Sequence, residues 1–328
     1  VALRPGESLQ NGKYIVEREI GRGRYGITYR VGNEYRKRRI VKTPNDELLR
    51  SLSSHDGETV QKEYGNDLVK LAKCQHPHAV KVESIFTHDD RWCVATEYIR
   101  GVPFDRRLGR KMSIPKALYY LRQLCDALEV AHQRGLLHRD IQPVNIMRRQ
   151  GRSEVVLIDF GLARGVHALS TMQAAADGFA PIEIYEGDRE LTPATDVYSL
   201  AATLYAWVTG EVPPSALDRQ RGTAELASPK EFNSKIDDRL ETAIVKGMAL
   251  EPSDRPQSIV EWRQLFDKLP EKDPGILPDW EPKTWAIVLA TGGVILAAIA
   301  LGIFALTSRS PSSPESTDSA SIAGDRRS

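Results

Sequence analysis

The run from Trp285 to Leu306, WAIVLATGGVILAAIALGIFAL, holds 22 residues without a charge. As a helix it spans about 33 Å, enough to cross the roughly 30 Å of hydrocarbon in a bilayer. A helix buried in a water-soluble core is shorter as a rule and keeps a polar face. This one is apolar all round, so it reads as a single transmembrane helix. Trp285 falls where an interfacial anchor belongs, and Lys283 and Arg309 flank the span evenly, so loop charge does not set its orientation. Gly293 with Ala297, and Ala298 with Gly302, stand in small-xxx-small spacing that would let two such helices approach, although small residues are common in membrane helices in any case. Residues 307–328 are rich in Ser and Pro and poor in large apolar residues, so they are expected to be a disordered tail.

Ahead of the span lies enough chain for a sizeable core: 328 residues in all, 41% of them hydrophobic. With 45 basic against 44 acidic residues, no global field draws the protein to nucleic acid, and no nucleic-acid partner is expected. Cys74, Cys93 and Cys125 are far apart with no C-x-x-C pair, which speaks against a disulfide framework or a structural zinc site and fits a reducing compartment. The start, VALRPGESLQNG, has neither a basic end nor an apolar stretch of a secretory signal, and its lack of Met is expected of a processed or trimmed start.

Residues 11–99 alternate β-branched and charged residues between Gly-rich turns, and residues 113–269 show helical periodicity, with the change near Gly101 and Pro103. Two lobes joined by a hinge follow. Ser113 is placed to cap a helix whose apolar positions run from Ile114 to Ala131 at 3.6-residue spacing, ending at Gly135. VVLID reads as a short strand, and Leu200 to Val208 as a second helical stretch stopped by Gly210. The expected boundaries are an N-terminal segment 1–12, a domain 13–270 whose lobes meet near residue 100, a linker 271–284, the span 285–306 and the tail.

Gly21, Gly23 and Gly26 in GRGRYGITYRV form a glycine-rich loop. A dinucleotide-binding loop of this spacing opens into a helix, but here Ile27, Thr28, Tyr29 and Val31 are strand formers, so the loop is a β-hairpin and a dehydrogenase reading fails. Glycines there let backbone N–H groups approach phosphate oxygens. Lys42 ends an apolar strand about 20 residues on. HRDIQPVN, with His138, Arg139, Asp140 and Asn145, and then Asp159, Phe160 and Gly161, follow in order. Any one of these short motifs occurs by chance, and a lone lysine is usually a surface residue.

Together, from about Lys13 to Leu269, they resemble the signature set of the eukaryotic-like Ser/Thr protein kinases of the bacterial, membrane-anchored kind. The resemblance implies an α+β, two-lobed protein kinase fold, with an antiparallel N-lobe sheet and one helix, a mainly helical C-lobe, and the C-terminal transmembrane helix. It implies ATP with Mg²⁺ or Mn²⁺ and protein substrates. Ile20, Gly21, Arg22, Gly23, Gly26 and Thr28 would cover the nucleotide, Lys42 would hold its phosphates, and Glu97 and Ile99 in the stretch TEYI would receive adenine through backbone groups. Asp140 would accept the substrate hydroxyl proton, with Gln142 beside it, and Asn145 and Asp159 would bind the metal. Asp67, His138, Arg139, Glu183, Asp196 and Arg255 would support them, Glu183 by pairing with Arg255. Ser170 and Thr171 fall where such kinases carry activating phosphosites, although solvated loop residues look the same.

This chain departs from the pattern at several points. The helix carboxylate expected opposite Lys42 is Asp67, one methylene shorter than the usual Glu, with Glu63 one turn earlier as a substitute. Ile40 replaces a small residue over adenine. Gln142 and Ala176 stand where a lysine and a threonine meet the γ-phosphate, a loss that would cost about 1–3 kcal/mol in the transition state. An active kinase with autophosphorylation is therefore weighed against a pseudokinase that signals by conformation. The basic run Arg36–Arg39 reads as a solvated hairpin edge, and in a tethered protein also invites contact with membrane lipid. A homodimer through the kinase domain or the span, and a plasma (inner) membrane location with the kinase domain cytoplasmic, complete the expectations.

Overall fold

The computed structural model describes residues 2–23, 26–45, 54–161, 178–186 and 189–269. Its first lobe is a six-stranded antiparallel sheet of order β1-β2-β3-β4-β6-β5. The strands are β1 (Ser8–Leu9), β2 (Tyr14–Arg22), β3 (Gly26–Asn33), β4 (Arg38–Pro44), β5 (Val82–His88) and β6 (Arg91–Glu97). Strand alternation sorts their side chains. Ile27, Tyr29 and Val31 on β3, Val41 on β4, and Cys93 and Ala95 on β6 share one buried cluster with Tyr14, Val16 and Phe86. Each fully buried Val or Ile side chain among them contributes roughly 1.5–3 kcal/mol. The residues between them, Thr28, Ile40, Lys42, Val94 and Thr96, line the opposite face, toward a cleft.

The N-terminal segment is not separate from this lobe. Ser8 and Leu9 pair with Ile15 and Tyr14, and Leu3 and Leu9 close the small cluster. A two-residue strand carries no periodicity, so the alternation that marks the others could not show it.

Helix α1 (Ser54–Lys73) packs on β5 and β6, and its residues Tyr64, Leu68 and Leu71 join the second, larger core with the C-lobe. After β7 (Gly101–Pro103), helix α2 (Ile114–His132) follows the predicted apolar stripe, with Ser113 at the N-cap position and Pro115 in its first turn. The Ser113 side chain makes no capping bond, so here the proline and the packing set the start. Strand β8 (Ile146–Arg149) pairs with β7 on one side and with β9 (Val155–Leu157) on the other, in a small antiparallel sheet flanked by the HRDIQPVN and Asp159 segments.

Helix α3 (Pro193–Thr209) begins well before the expected Leu200, because Thr192 and Thr195 form a reciprocal capping box and Pro193 sits at the first helical position. It ends against Gly210 as anticipated, and every residue from Ala194 to Thr209 is buried. A helix apolar all round belongs at the centre of a lobe. Around it lie α4 (Ala216–Gln220), α5 (Pro229–Phe232), α6 (Asp238–Gly247) and α7 (Ile259–Gln264). No helix of the described residues is long and apolar enough to cross a membrane. The 285–306 run, the linker and the tail lie outside the described residues, as do Ser170, Thr171 and Ala176.

Candidate active site

Two adjoining cavities fill the cleft between the lobes. One, of about 330 Å³, is lined by Ile20, Thr28, Ile40, Val80 and Val94 from the sheet side and by Val144, Met147 and Ile158 from the other. This is a flat apolar slot of the kind an adenine ring fills. Ile20 and Val144 are each 43% exposed, unusual for apolar residues in a cleft unless a ligand covers them. Glu97 and Ile99 sit on its rim. The Glu97 side chain points away, accepting two bonds from Arg149 Nη2 at 3.0 and 3.1 Å, and its N–H donates to Lys81 O at 3.0 Å. Ile40 is part of the sheet wall of this cavity.

The second cavity, of about 520 Å³, joins Gly21, Arg22, Gly23, Gly26 and Thr28 to Lys42, Asp140, Gln142, Asn145 and Asp159. Every residue expected at the phosphates and the metal therefore meets in one place. Register explains the upper half: Gly21 pairs with Thr28 and Thr28 with Lys42 across β2, β3 and β4, so the three share a face. At Gly26 a Cβ would approach Thr43 O to 3.1 Å, and the Gly23 N–H donates to Gly26 O at 2.9 Å, which closes the base of the hairpin. Residues 24 and 25 at its tip are outside the described residues. The Arg22 guanidinium is paired to Glu19 and points along the strand.

On the lower side, two neutral amides grip Asp140. Gln142 Nε2 donates to its Oδ1 at 2.8 Å, and Asn145 Nδ2 donates to its Oδ2 at 2.9 Å and to its backbone oxygen at 2.8 Å. Because Asn145 makes these bonds through nitrogen, its Oδ1 takes part in none of them. Asn145 Oδ1 and the Asp159 carboxylate are hard oxygen donors, which fits Mg²⁺ or Mn²⁺. Lys42 Nζ forms an ion pair with Asp159, and Asp159 holds a left-handed backbone, φ +62°. A non-glycine residue in that region carries strain, a cost that recurs at functional sites.

The supporting residues knit this geometry together. His138 is fully buried, its Nδ1 accepts the Asp140 N–H at 3.2 Å, and its Nε2 bonds Ile158 O at 2.9 Å. Those bonds describe a neutral ring with the proton on Nε2. Phe160 packs on the ring at 4.5 Å, and Gly161 N–H donates to His138 O, so the Asp159 strand is tied to the catalytic loop. Asp196 accepts the N–H groups of His138 and Arg139, each at 2.8 Å, and pairs with His132 Nε2 at 2.8 Å. Burial alone would raise the Asp196 carboxyl, but the hydrogen bond and charge of His132, together with the His138 backbone N–H, outweigh that and lower it.

Glu183 and Arg255 pair as expected, with side chains wholly buried and oxygens and nitrogens matched at 2.6 and 2.9 Å. Arg255 also donates to Ala194 O, Ala249 O and Leu250 O and lies over the Tyr198 ring, so no donor is stranded. Nearby, a Cβ on Gly178 would come within 2.0 Å of Pro213 O, so only glycine lets this segment dock on the loop after α3.

One expectation is overturned. Asp67 does not pair with Lys42: its Oδ2 accepts Arg139 Nη1 at 2.9 Å, and its Oδ1 lies 3.6 Å from Lys70 Nζ. Glu63 does not substitute, being exposed. Three residues before Asp67 on the same face of α1, buried Tyr64 lines the phosphate cavity instead, and the short Asp side chain reaches down to the catalytic loop. Tyr64 was not singled out from the sequence. Its helical spacing from Asp67 is the one signal that could have marked it. Val144, inside QPVN, and Ile158, just before Asp159, are further lining residues that their motifs could have shown.

Comparison with known proteins agrees with this geometry. The protein kinase domain family matches residues 14–274. The chain is 26% identical over 283 residues to a probable serine/threonine-protein kinase, CPE1738, of Clostridium perfringens, covering 83% of this chain and 40% of that one. It is 30% identical over 276 residues to the serine/threonine-protein kinase PknK of Mycobacterium tuberculosis, covering 77% of this chain and 23% of that one. The chain thus spans less than half the length of either relative. Among solved structures, one titled PpkA-294 apo form superposes with a TM-score of 0.63 at 26% identity, over 80% of this chain and 99% of that one. The Mycobacterium tuberculosis PknI kinase domain, at 22% identity and a TM-score of 0.62, shares the fold. An apolar slot beside a phosphate cavity, a lysine facing Asp140, Gln142, Asn145 and Asp159 there, and a family match across both lobes lead to one conclusion: the chain belongs to the protein kinase family, with bacterial serine/threonine-protein kinases such as PknK among its relatives.

Proposed function

We propose that this protein transfers the γ-phosphoryl group of ATP to Ser or Thr hydroxyls of proteins, its own chain included, while anchored in the membrane by residues 285–306. The observation that carries the transfer is the Asp140 carboxylate, fixed at both oxygens and facing the same cavity as Lys42 and Asp159. Adenine packs between Ile20 and Ile40 above and Val144 and Met147 below, meeting the backbone of Glu97 and Ile99. Lys42 turns from Asp159 to the α- and β-phosphates. Asp140 orients the acceptor hydroxyl and takes its proton as the oxygen attacks phosphorus and the bond to the leaving ADP oxygen breaks. A divalent cation on Asn145 and Asp159, when bound, neutralises charge on the polyphosphate.

Gln142 holds Asp140 in place, but as a neutral amide it adds no positive charge at the γ-phosphate, so slow turnover is expected rather than none. Membrane anchoring is supported by the uncharged run itself, and ATP use with reduced cysteines supports a cytoplasmic kinase domain. Ser170 and Thr171 are the proposed autophosphorylation sites. The test is to incubate the full chain in vesicles with labelled ATP and Mg²⁺ and map the label. Asp140→Asn is expected to lose about 10²–10⁴ in rate, and Lys42→Ala to lose most label. Label at the wild-type level in both variants would overturn the proposal.

A further inference from the structure

The β3–β4 hairpin ends in a turn held by four bonds. Asn33 N–H donates to Lys37 O at 2.9 Å, Arg36 N–H to Asn33 O at 2.7 Å, and Asn33 Oδ1 accepts the N–H groups of Tyr35 and Lys37 at 3.1 and 2.8 Å. The turn therefore presents its side chains in a fixed direction. Tyr35 is 72% exposed, the most of any large apolar residue among those described, and Arg36, Lys37 and Arg38 beside it are exposed as well. Among the described residues no carboxylate pairs with these three cations, whereas Arg39, next in sequence, pairs with Glu83, and Arg22 and Arg30 pair with Glu19 and Glu17. Lys13, whose carbonyl accepts the Glu34 N–H and whose ammonium lies 5.4 Å from the Tyr14 ring centroid with no carboxylate partner among the described residues, adds a fourth cation at the flank.

The hairpin-edge reading of this basic run does not survive the topology. β3 lies between β2 and β4, and β4 between β3 and β6, so neither is an edge that charge must protect. The cations sit instead in the β3–β4 turn around one exposed phenol, three of them against the single carboxylate of Glu34, on a chain whose net charge is only +1. An aromatic ring with a polar end among unpaired Lys and Arg suits a bilayer interface, where the ring enters the headgroup layer and the cations meet anionic headgroups. The tether favours a lipid occupant over a soluble one: the 15 residues between Leu269 and Trp285 reach at most about 50 Å, which keeps the domain near the surface.

We propose that the hairpin tip, Tyr35 with Arg36, Lys37, Arg38 and Lys13, docks the kinase domain on anionic lipid headgroups. This rests on the membrane-anchor reading above. Each cation brought to an anionic surface favours contact by about fivefold. The test uses the full chain in vesicles of phosphatidylcholine, with or without phosphatidylglycerol, carrying a polarity-sensitive dye on Tyr35→Cys. The native cysteines are buried and spared from labelling. Spin-labelled lipid is expected to quench the dye only when phosphatidylglycerol is present. Raised salt, or Arg36→Glu with Lys37→Glu and Arg38→Glu, should abolish the quenching. Equal quenching in both vesicle types, or a dye response to nucleic acid or an acidic polypeptide but not to phosphatidylglycerol, would overturn the proposal.

Alkaline carbonate extraction reads the anchor separately. If it releases the chain, the anchor reading fails, and the tip is then judged by sedimentation of the released protein with phosphatidylglycerol vesicles. Binding that the triple charge reversal abolishes sustains the tip. No binding overturns it.

Discussion

The two walls of the catalytic cleft are held by ionic contacts of different character. Below, Asp196, Glu183 and Arg255 expose no side-chain surface, and each charge meets several hydrogen-bond partners. Above, Lys42 is 20% exposed and its partner Asp159 45%, and the bridge from α1 to the catalytic loop rests on one Asp67–Arg139 contact. A buried, satisfied pair is costly to break, while a wetted pair exchanges partners at little cost. The lower wall is thus a fixed frame for Asp140. The upper wall is built from contacts that must change when a nucleotide arrives, because Lys42 and Asp159 are both claimed by it.

That contrast can be broken by substitution. Arg255→Ala leaves Glu183 charged in a dry site and is expected to cost about 3–5 kcal/mol, seen as a drop in the melting temperature of several degrees or more. A change no larger than that of Asp67→Ala would refute the contrast. Gln142→Ala frees one oxygen of Asp140 and should lower kcat about tenfold with little change in stability. Gln142→Lys, which adds a cation, should raise it. If kinetics show no gain, the site has been rebuilt around the amide.

Asp196 sharpens the comparison through pH. Its carboxyl is lowered in the folded state, so its stabilisation is complete above the ordinary carboxylate value of about 4 and is lost as pH falls below that toward the lowered value. Thermal unfolding of the wild type should therefore weaken more steeply than that of Asp196→Asn as pH drops from about 5 to 3. A smaller loss of stability than that of Arg255→Ala is expected at Asp67→Ala, because its partner Arg139 keeps some contact with water, with the change appearing in KM for ATP as α1 loses its tie to Arg139.

Motifs local in sequence were fully legible. Strand formers after the glycines set the hairpin, and the HRDIQPVN and Asp159 segments landed in one cavity because each is short and its internal spacing is fixed by the backbone. What depended on three-dimensional choice was not. Asp67 sits at the expected helix position, yet its partner is Arg139, 72 residues away in sequence, which helical spacing does not record. The strand at Ser8–Leu9 and the early start of α3 escaped for a simpler reason, since two residues have no period and a Pro-Ala-Thr opening looks like loop until its cap is seen.

Asn145 carries a consequence for how freely this site can vary. Its nitrogen steadies the Asp140 carboxylate and its oxygen is free for a cation, so one planar group divides its two ends between an anionic and a cationic client. Aspartate at that position would bind a cation more strongly in isolation, but it would surrender both donors and set a second carboxylate against Asp140. The better metal ligand is the worse neighbour, and the amide is the compromise that lets proton acceptor and cation coexist within one loop.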